Sequence, residues 1–152
     1  MISKKTKYAL QALIYLAKEY KKDPVLISDL AKKEKLPKKF LEFILLGLKN
    51  QGFLTSKRGK GGGYSLAKEP SKIILGQVVR LLEGPLAPVP CVSQTAYRKC
   101  EECKDEATCG VRVIMKEVRD AIANVLDHTT LADVLQRVDH IISEKGTLTY
   151  FI

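Results

Sequence analysis

Residues 55–66 read Thr-Ser-Lys-Arg-Gly-Lys-Gly-Gly-Gly-Tyr-Ser-Leu. Four glycines, Gly59 and Gly61 to Gly63, fall within five positions. Glycine tolerates positive φ and lets backbones approach closely, so this cluster makes a hairpin tip. Apolar residues flank it: Phe53 and Leu54 before, Tyr64 and Leu66 after. Lys57, Arg58 and Lys60 charge it. A short hairpin with a cationic, side-chain-poor tip can reach a phosphate backbone or a narrow groove. The competing reading is an ordinary surface hairpin with solvated lysines.

The charge distribution separates the two. The chain carries 26 Lys+Arg against 17 Asp+Glu, a formal +9. Residues 1–70 hold 16 basic and 6 acidic residues, a net +10, and residues 71–152 a net −1. All the excess positive charge therefore lies in the half that contains the hairpin. A one-sided basic domain is the electrostatic footprint of a nucleic-acid binder. An anionic membrane surface is the other candidate partner, but no long amphipathic basic helix is present. No apolar run approaches the roughly 20 residues of a membrane span. The N-terminus enters a periodic helix with no signal-peptide pattern, and a soluble cytoplasmic protein is expected.

Helical periodicity precedes the hairpin. Leu10, Leu13, Ile14 and Ala17 give a first helix over about residues 4–21. Ser28 and Asp29 read as the start of a short second helix over about residues 29–35, with Ser28 as N-cap. Leu36-Pro37 is a turn, and proline suits the first turn of a third helix. That helix contains Phe40, Leu41, Ile44, Leu45 and Leu48 and stops at Gly52. Two helices across a tight turn make a helix-turn-helix, whose second helix enters the major groove. The hairpin that follows is then the wing of a winged-helix domain.

Beyond the wing, residues 73–83 form another helix, ended by Gly84-Pro85. Pro85, Pro88 and Pro90 keep residues 84–100 irregular. Val111, Met115, Val118, Ile122 and Val125 then step by 4, 3, 4 and 3. This heptad-like seam serves either the core of its own domain or a second copy of the same helix. Charged neighbours such as Lys116, Glu117, Arg119 and Asp120 favour pairing. Thr130 and Asp133 form a capping-box variant for a last helix with an apolar stripe from Leu131 to Ile142, ended by Gly146.

All four cysteines, Cys91, Cys100, Cys103 and Cys109, lie within 19 residues just before the seam helix. In a cytoplasmic chain, clustered thiols argue for metal or redox chemistry rather than structural disulfides. Thiolates are soft ligands for iron–sulfur clusters, zinc and copper(I). Cys100-x-x-Cys103 could chelate zinc. Reduced thiols with no ligand are the plain alternative. No catalytic triad, paired carboxylates or phosphate loop stands out, and the triple glycine lacks the strand-to-helix context of a nucleotide loop. An enzyme is not expected.

Four stretches carry a family resemblance: Phe40-Leu41-Glu42, Leu48-Lys49-Asn50-Gln51-Gly52, Arg58 to Tyr64, and Thr130-Leu131-Ala132-Asp133. With the cysteine loop ahead of the long helix, the chain resembles the winged-helix regulators that include IscR, NsrR and CymR. The resemblance implies a mainly α fold with a small β-hairpin wing and a long dimerisation helix. It implies a winged-helix DNA-binding domain over residues 1–83 and a cysteine-bearing loop over 84–110. Over 111–152 it implies the dimerisation helix and a C-terminal helix packing back on the domain.

It also implies a homodimer on double-stranded DNA. Glu42 would face base edges and Arg58 the minor groove. Lys38, Lys39, Lys49, Lys57 and Lys60 would lie near phosphates, and Gly61, Gly62, Gly63 and Tyr64 would complete the wing contact. In cluster-binding members three cysteines hold a [2Fe–2S] or [4Fe–4S] centre. The matching positions here are Cys91, Cys103 and Cys109. Arg112 and Lys7 stand where the family's fourth ligands are found, and Cys100 is the candidate in their place. The function expected is a DNA-binding transcription regulator sensing iron–sulfur or redox status. The alternatives are the same dimer without a cluster, answering a protein partner, a metabolite or thiol oxidation, and a zinc-stabilised structural or interaction module.

Overall fold

In the computed structural model, residues 2–150 are described, with side chains described through residue 147. The described chain is mainly helical with one two-stranded antiparallel hairpin. It forms two compact units, residues 1–74 with 130–152, and residues 75–129. The fourth helix lies in the same unit as the cysteine loop and the long helix.

The first unit opens with α1 (Lys4–Lys18). The Ser3 side chain caps it by accepting from Thr6 N at 3.2 Å. Ala9, Ala12, Leu13 and Leu16 are buried to 1% exposure or less. Burying one leucine contributes roughly 1.5–3 kcal/mol, so this face anchors the unit. The helix stops at Lys18 rather than residue 21, and Lys21 turns the chain with a φ of 65°.

α2 (Ile27–Glu34) begins two residues before the expected start. Leu26 holds the N-cap position and Ser28 makes no cap hydrogen bond. The reason is tertiary. Val25 is tied to Tyr64 of the hairpin by two backbone hydrogen bonds, 2.9 and 2.8 Å, and the Leu26 carbonyl at once accepts from Asp29 and Leu30. Lys35, in the left-handed region, closes α2, and α3 (Lys38–Asn50) follows Pro37. Leu41, Ile44, Leu45 and Leu48 are buried, whereas Phe40 is half-exposed and meets Tyr8 edge-on at 5.8 Å.

Gly52, with a φ of 82°, ends α3. Gly52 N donates to Lys49 O at 3.0 Å and Phe53 N to Leu48 O at 3.0 Å, the glycine-dependent helix stop. The strands β1 (Leu54–Lys57) and β2 (Gly63–Leu66) then pair in register from Leu54↔Leu66 to Lys57↔Gly63. Leu54 and Leu66 face inward and hold the hairpin's base on the core.

α6 (Leu131–Tyr150) returns to this unit. Asp133 accepts from Thr130 N at 2.8 Å and Thr130 Oγ1 accepts from Asp133 N at 3.2 Å, so the capping box forms. These bonds hold the Asp133 carboxyl below its ordinary range. α6 does not stop at Gly146: one internal glycine costs about 1 kcal/mol and does not break a long helix. Ile73 and Ile74 are not helical either, because Ile74 bridges Thr130 ahead of α6.

In the second unit, α4 (Leu75–Glu83) ends at Gly84, whose φ is 87°. A single 3₁₀ turn at Pro90–Val92 interrupts the irregular loop, and α5 (Gly110–Asp127) follows. Arg80 holds Asp127 in a two-pronged pair, with oxygens 2.5 and 2.8 Å away. A Cβ on Gly76 would meet Asp127 Oδ1 at 2.0 Å, so only glycine lets the pair lie across α4.

Candidate nucleic-acid interface and cysteine loop

α3 presents its buried stripe to the core and a second stripe to solvent. Lys38, Glu42, Leu46 and Lys49 recur at steps of 4, 4 and 3 on that outer face. The hairpin rises beside them. Together they form an open groove whose helix wall is those four residues and whose wing wall is Ser56, Lys57, Arg58, Gly63 and Tyr64. The start of α2, Leu26 to Ser28, closes one side. Among the described residues no ion pair neutralises Lys38, Lys49, Lys57 or Arg58. The groove therefore has a strongly positive rim with one carboxylate, Glu42, on its helix wall.

Seven of the residues expected at DNA share this groove: Lys38, Glu42, Lys49, Lys57, Arg58, Gly63 and Tyr64. Lys39, Lys60, Gly61 and Gly62 do not line it. Lys39 and Lys60 are exposed outside it, and Gly62 is buried in the turn. The glycines have a structural task. A Cβ on Gly62 would sit 2.3 Å from Lys57 O, and one on Gly63 would sit 2.3 Å from Val25 O. Bare backbone there lets the hairpin close on itself and lean on the α2 entry. Sequence reasoning missed Leu26, Ile27, Ser28, Leu46 and Ser56 as groove residues. For Leu46 the signal was present, since it lies one helical turn beyond Glu42.

The seam of α5 is not core of its own unit. Val111, Val118, Ile122 and Val125 are exposed, Met115 is half-buried, and no residue of α5 is fully buried.

The cysteine loop folds back on itself. Ser93 Oγ accepts from Ala96 N at 2.9 Å, and Pro90 O accepts from Arg98 N at 3.3 Å. Arg119 of α5 donates to Val92 O and pins the turn that carries Cys91. All four cysteines are free: Cys91 is buried, Cys103 and Cys109 are half-buried, and Cys100 is exposed. The nearby Cys91 thiol, with desolvation and the neighbouring Glu102 and Cys109, pushes the Cys100 thiol up from its ordinary value. Cys103 N donates to Cys100 O at 3.2 Å. Tyr97 donates to Glu106 across the loop, which raises the Tyr97 hydroxyl above its usual range.

Among the described residues, no three His, Cys, Asp or Glu side chains converge as a metal-holding group. Arg112 has a buried Nε without a hydrogen-bond partner, and its guanidinium cannot ligate a metal. The thiols as placed thus bring Cys91 and Cys100 together but do not fit a four-ligand cluster site. No helix among the described residues is long and apolar enough to cross a membrane.

Residues 2–137 match the Rrf2 family, described as iron-dependent transcriptional regulators. The chain belongs to the Rrf2 family of transcriptional regulators. A relative from Rhodobacter capsulatus, named only as an rrf2-like regulator of the helix-turn-helix type, is 44% identical over 138 residues, covering 89% of this chain and 92% of its own. The solved structure of CymR, the global cysteine regulator of B. subtilis, superposes with a TM-score of 0.76 at 35% identity, covering 90% of this chain and 97% of that one. IscR of T. potens superposes at 0.72 with 30% identity, covering 91% and 88%. As a member of this family the chain is a regulator that binds DNA and not an enzyme, and its winged-helix fold is that of these neighbours.

Proposed function

We propose that this chain is a dimeric, sequence-specific transcription regulator that reads double-stranded DNA through the α3–wing groove and answers a signal taken by its cysteine loop. The observation that carries the DNA contact is the convergence of Lys38, Glu42, Lys49, Lys57 and Arg58 on one open groove. The lysines supply phosphate neutralisation, which positions the protein without reading sequence, and the exposed Arg58 reaches the minor groove with its own cationic charge. Glu42 accepts from a cytosine N4 amino group, the base-edge donor that suits a carboxylate. A carboxylate near phosphates costs affinity, so its value is discrimination. Lys39, Lys60, Gly61 and Gly62 belong to the flank of the same contact. The α5 seam pairs with its copy, which places two reading helices on two half-sites. Residues 1–83, 84–110 and 111–152 then divide the work of reading, sensing and pairing in a cytoplasmic protein.

For the sensor, the nearness of Cys91 to Cys100 favours thiol chemistry. Oxidation by a peroxide-type oxidant would join the two sulfurs, remove two protons and two electrons, and release water. The iron–sulfur reading is supported by the family's description as iron-dependent, and by the four clustered thiols. It requires Cys103 and Cys109 to close toward Cys91, with Cys100 as the fourth ligand, and zinc is the remaining occupant. Protein purified without oxygen and assayed for iron, sulfide and zinc decides among them. Metal-free protein that forms a Cys91–Cys100 disulfide supports the thiol sensor. Iron with sulfide supports the cluster, and zinc alone a structural site.

The test of the groove is Glu42→Ala. Selection from a random duplex pool is expected to yield a sharp motif with the wild type and a relaxed one with the variant, with equal or tighter affinity of the variant for unrelated DNA. An unchanged motif would remove Glu42 from base reading.

A further inference from the structure

α3 carries an apolar residue where a solvated helix face has no use for one. Leu46 is 49% exposed, yet it sits inside the cation-rimmed groove between Glu42 and Lys49. When DNA fills this groove the leucine surface is covered, and it gains most there from an apolar partner. The major groove offers one such feature, the C5-methyl group of thymine, and aliphatic side chains are among its known contacts.

Position supports the match. Glu42 and Leu46 are one turn apart on the same face, about 6 Å along the helix axis. Base pairs stack about 3.4 Å apart, so the two side chains reach neighbouring steps of one groove. The other exposed apolar residues are placed differently. Phe43 is 65% exposed but does not line the groove, and Lys5 lies 5.5 Å from its ring centroid. Leu26 does line the groove, but against Gly63 of the wing rather than on the α3 stripe.

We infer that Leu46 is a specificity-determining residue that reads a thymine methyl one or two base pairs from the cytosine read by Glu42. The inference rests on the DNA-binding reading and adds a second letter to it. Apolar contact discriminates by one methyl group, so the expected effect is modest and local: about fourfold in affinity for one half-site. In a dimer on two half-sites the same contact occurs twice, and the loss compounds to about fifteenfold.

The test uses the full chain and duplexes selected from a random pool. Each thymidine of the selected site is replaced in turn by deoxyuridine, which removes the methyl and changes no hydrogen-bonding group. The wild type should lose about fourfold at one position per half-site, within two base pairs of the position that relaxes in Glu42→Ala. Leu46→Ala should bind the thymine and uracil duplexes alike at that position. Leu46→Met, similar in volume and apolar, should keep the preference. Because the side chain is half-exposed, thermal melts of both variants should stay close to wild type. Wild-type binding that ignores the methyl at every position, or Leu46→Ala that keeps the penalty, overturns the inference while leaving the DNA reading intact. Failure to select any duplex overturns both.

Discussion

Gly63 joins the wing to the reading head, and replacing it with alanine tests that joint. Its φ is +145°, and an added Cβ would lie 2.3 Å from Val25 O, 2.5 Å from Val25 C and 2.9 Å from Leu26 N. All three neighbours are backbone atoms, so no side chain can swing aside. Relief requires Val25 to separate from β2, which breaks the 2.9 and 2.8 Å hydrogen bonds between Val25 and Tyr64. Backbone strain of this kind costs of order 1–3 kcal/mol. Each lost bond adds about 1 kcal/mol. Gly63→Ala should therefore destabilise by about 3–5 kcal/mol, lowering the melting temperature by roughly 6–20 °C.

Gly59→Ala is the control. Gly59 also has positive φ, +85°, but nothing lies within 4 Å of its Cβ position. It should cost only about 1–2 kcal/mol of strain. Urea unfolding of the two variants, with duplex binding measured at a fixed salt concentration, separates them. Equal losses, or a stable Gly63→Ala that binds DNA like the wild type, would refute the joint.

Two further outcomes follow from other parts of the chain. Arg80 holds the Asp127 carboxyl below its ordinary range, so the pair's stabilisation is present above the unfolded carboxylate's pKa and is lost as pH falls through the lowered native value. Because both side chains are over a third exposed, Asp127→Asn should cost at most about 1 kcal/mol at neutral pH. That gap from wild type should shrink in acid, and a pH-independent gap in chemical unfolding would contradict the assignment. Val118→Asp with Ile122→Asp places charge in the proposed α5 pairing seam, where unpaired buried charge is costly, and should yield monomer or aggregate by light scattering. A soluble dimer of unchanged mass would move the interface elsewhere.

Local chemistry made much of this fold legible in the sequence. The Thr130–Asp133 box, the Gly52 stop and the glycine tip each depend on residues within a few positions, and each is present in the structure. The misses share a different cause. Ser28 reads as a cap, but α2 starts where Val25 leaves its bridge to Tyr64, a contact nearly forty residues away in sequence. Ile73 and Ile74 continue the helical pattern, yet pairing with Thr130 draws Ile74 into extended backbone. At the groove, the charged residues announced themselves by composition. Leu46 is marked only by its helical spacing from Glu42, and that spacing gains meaning once the wing shows which face of α3 is open. The cysteines were visible as a cluster, but the nearness of Cys91 to Cys100 depends on the fold of the Pro90–Arg98 turn.

The central claim is that the α3–wing groove neutralises DNA phosphates, and the salt dependence of binding tests it most directly. Affinity for a selected duplex, measured from low to physiological salt, should fall linearly on a log–log plot with a slope of about −0.9 per phosphate contacted. Arg58→Ala should weaken binding and flatten that slope by about one. A slope near zero, or an Arg58→Ala line that overlays the wild type, would contradict the account.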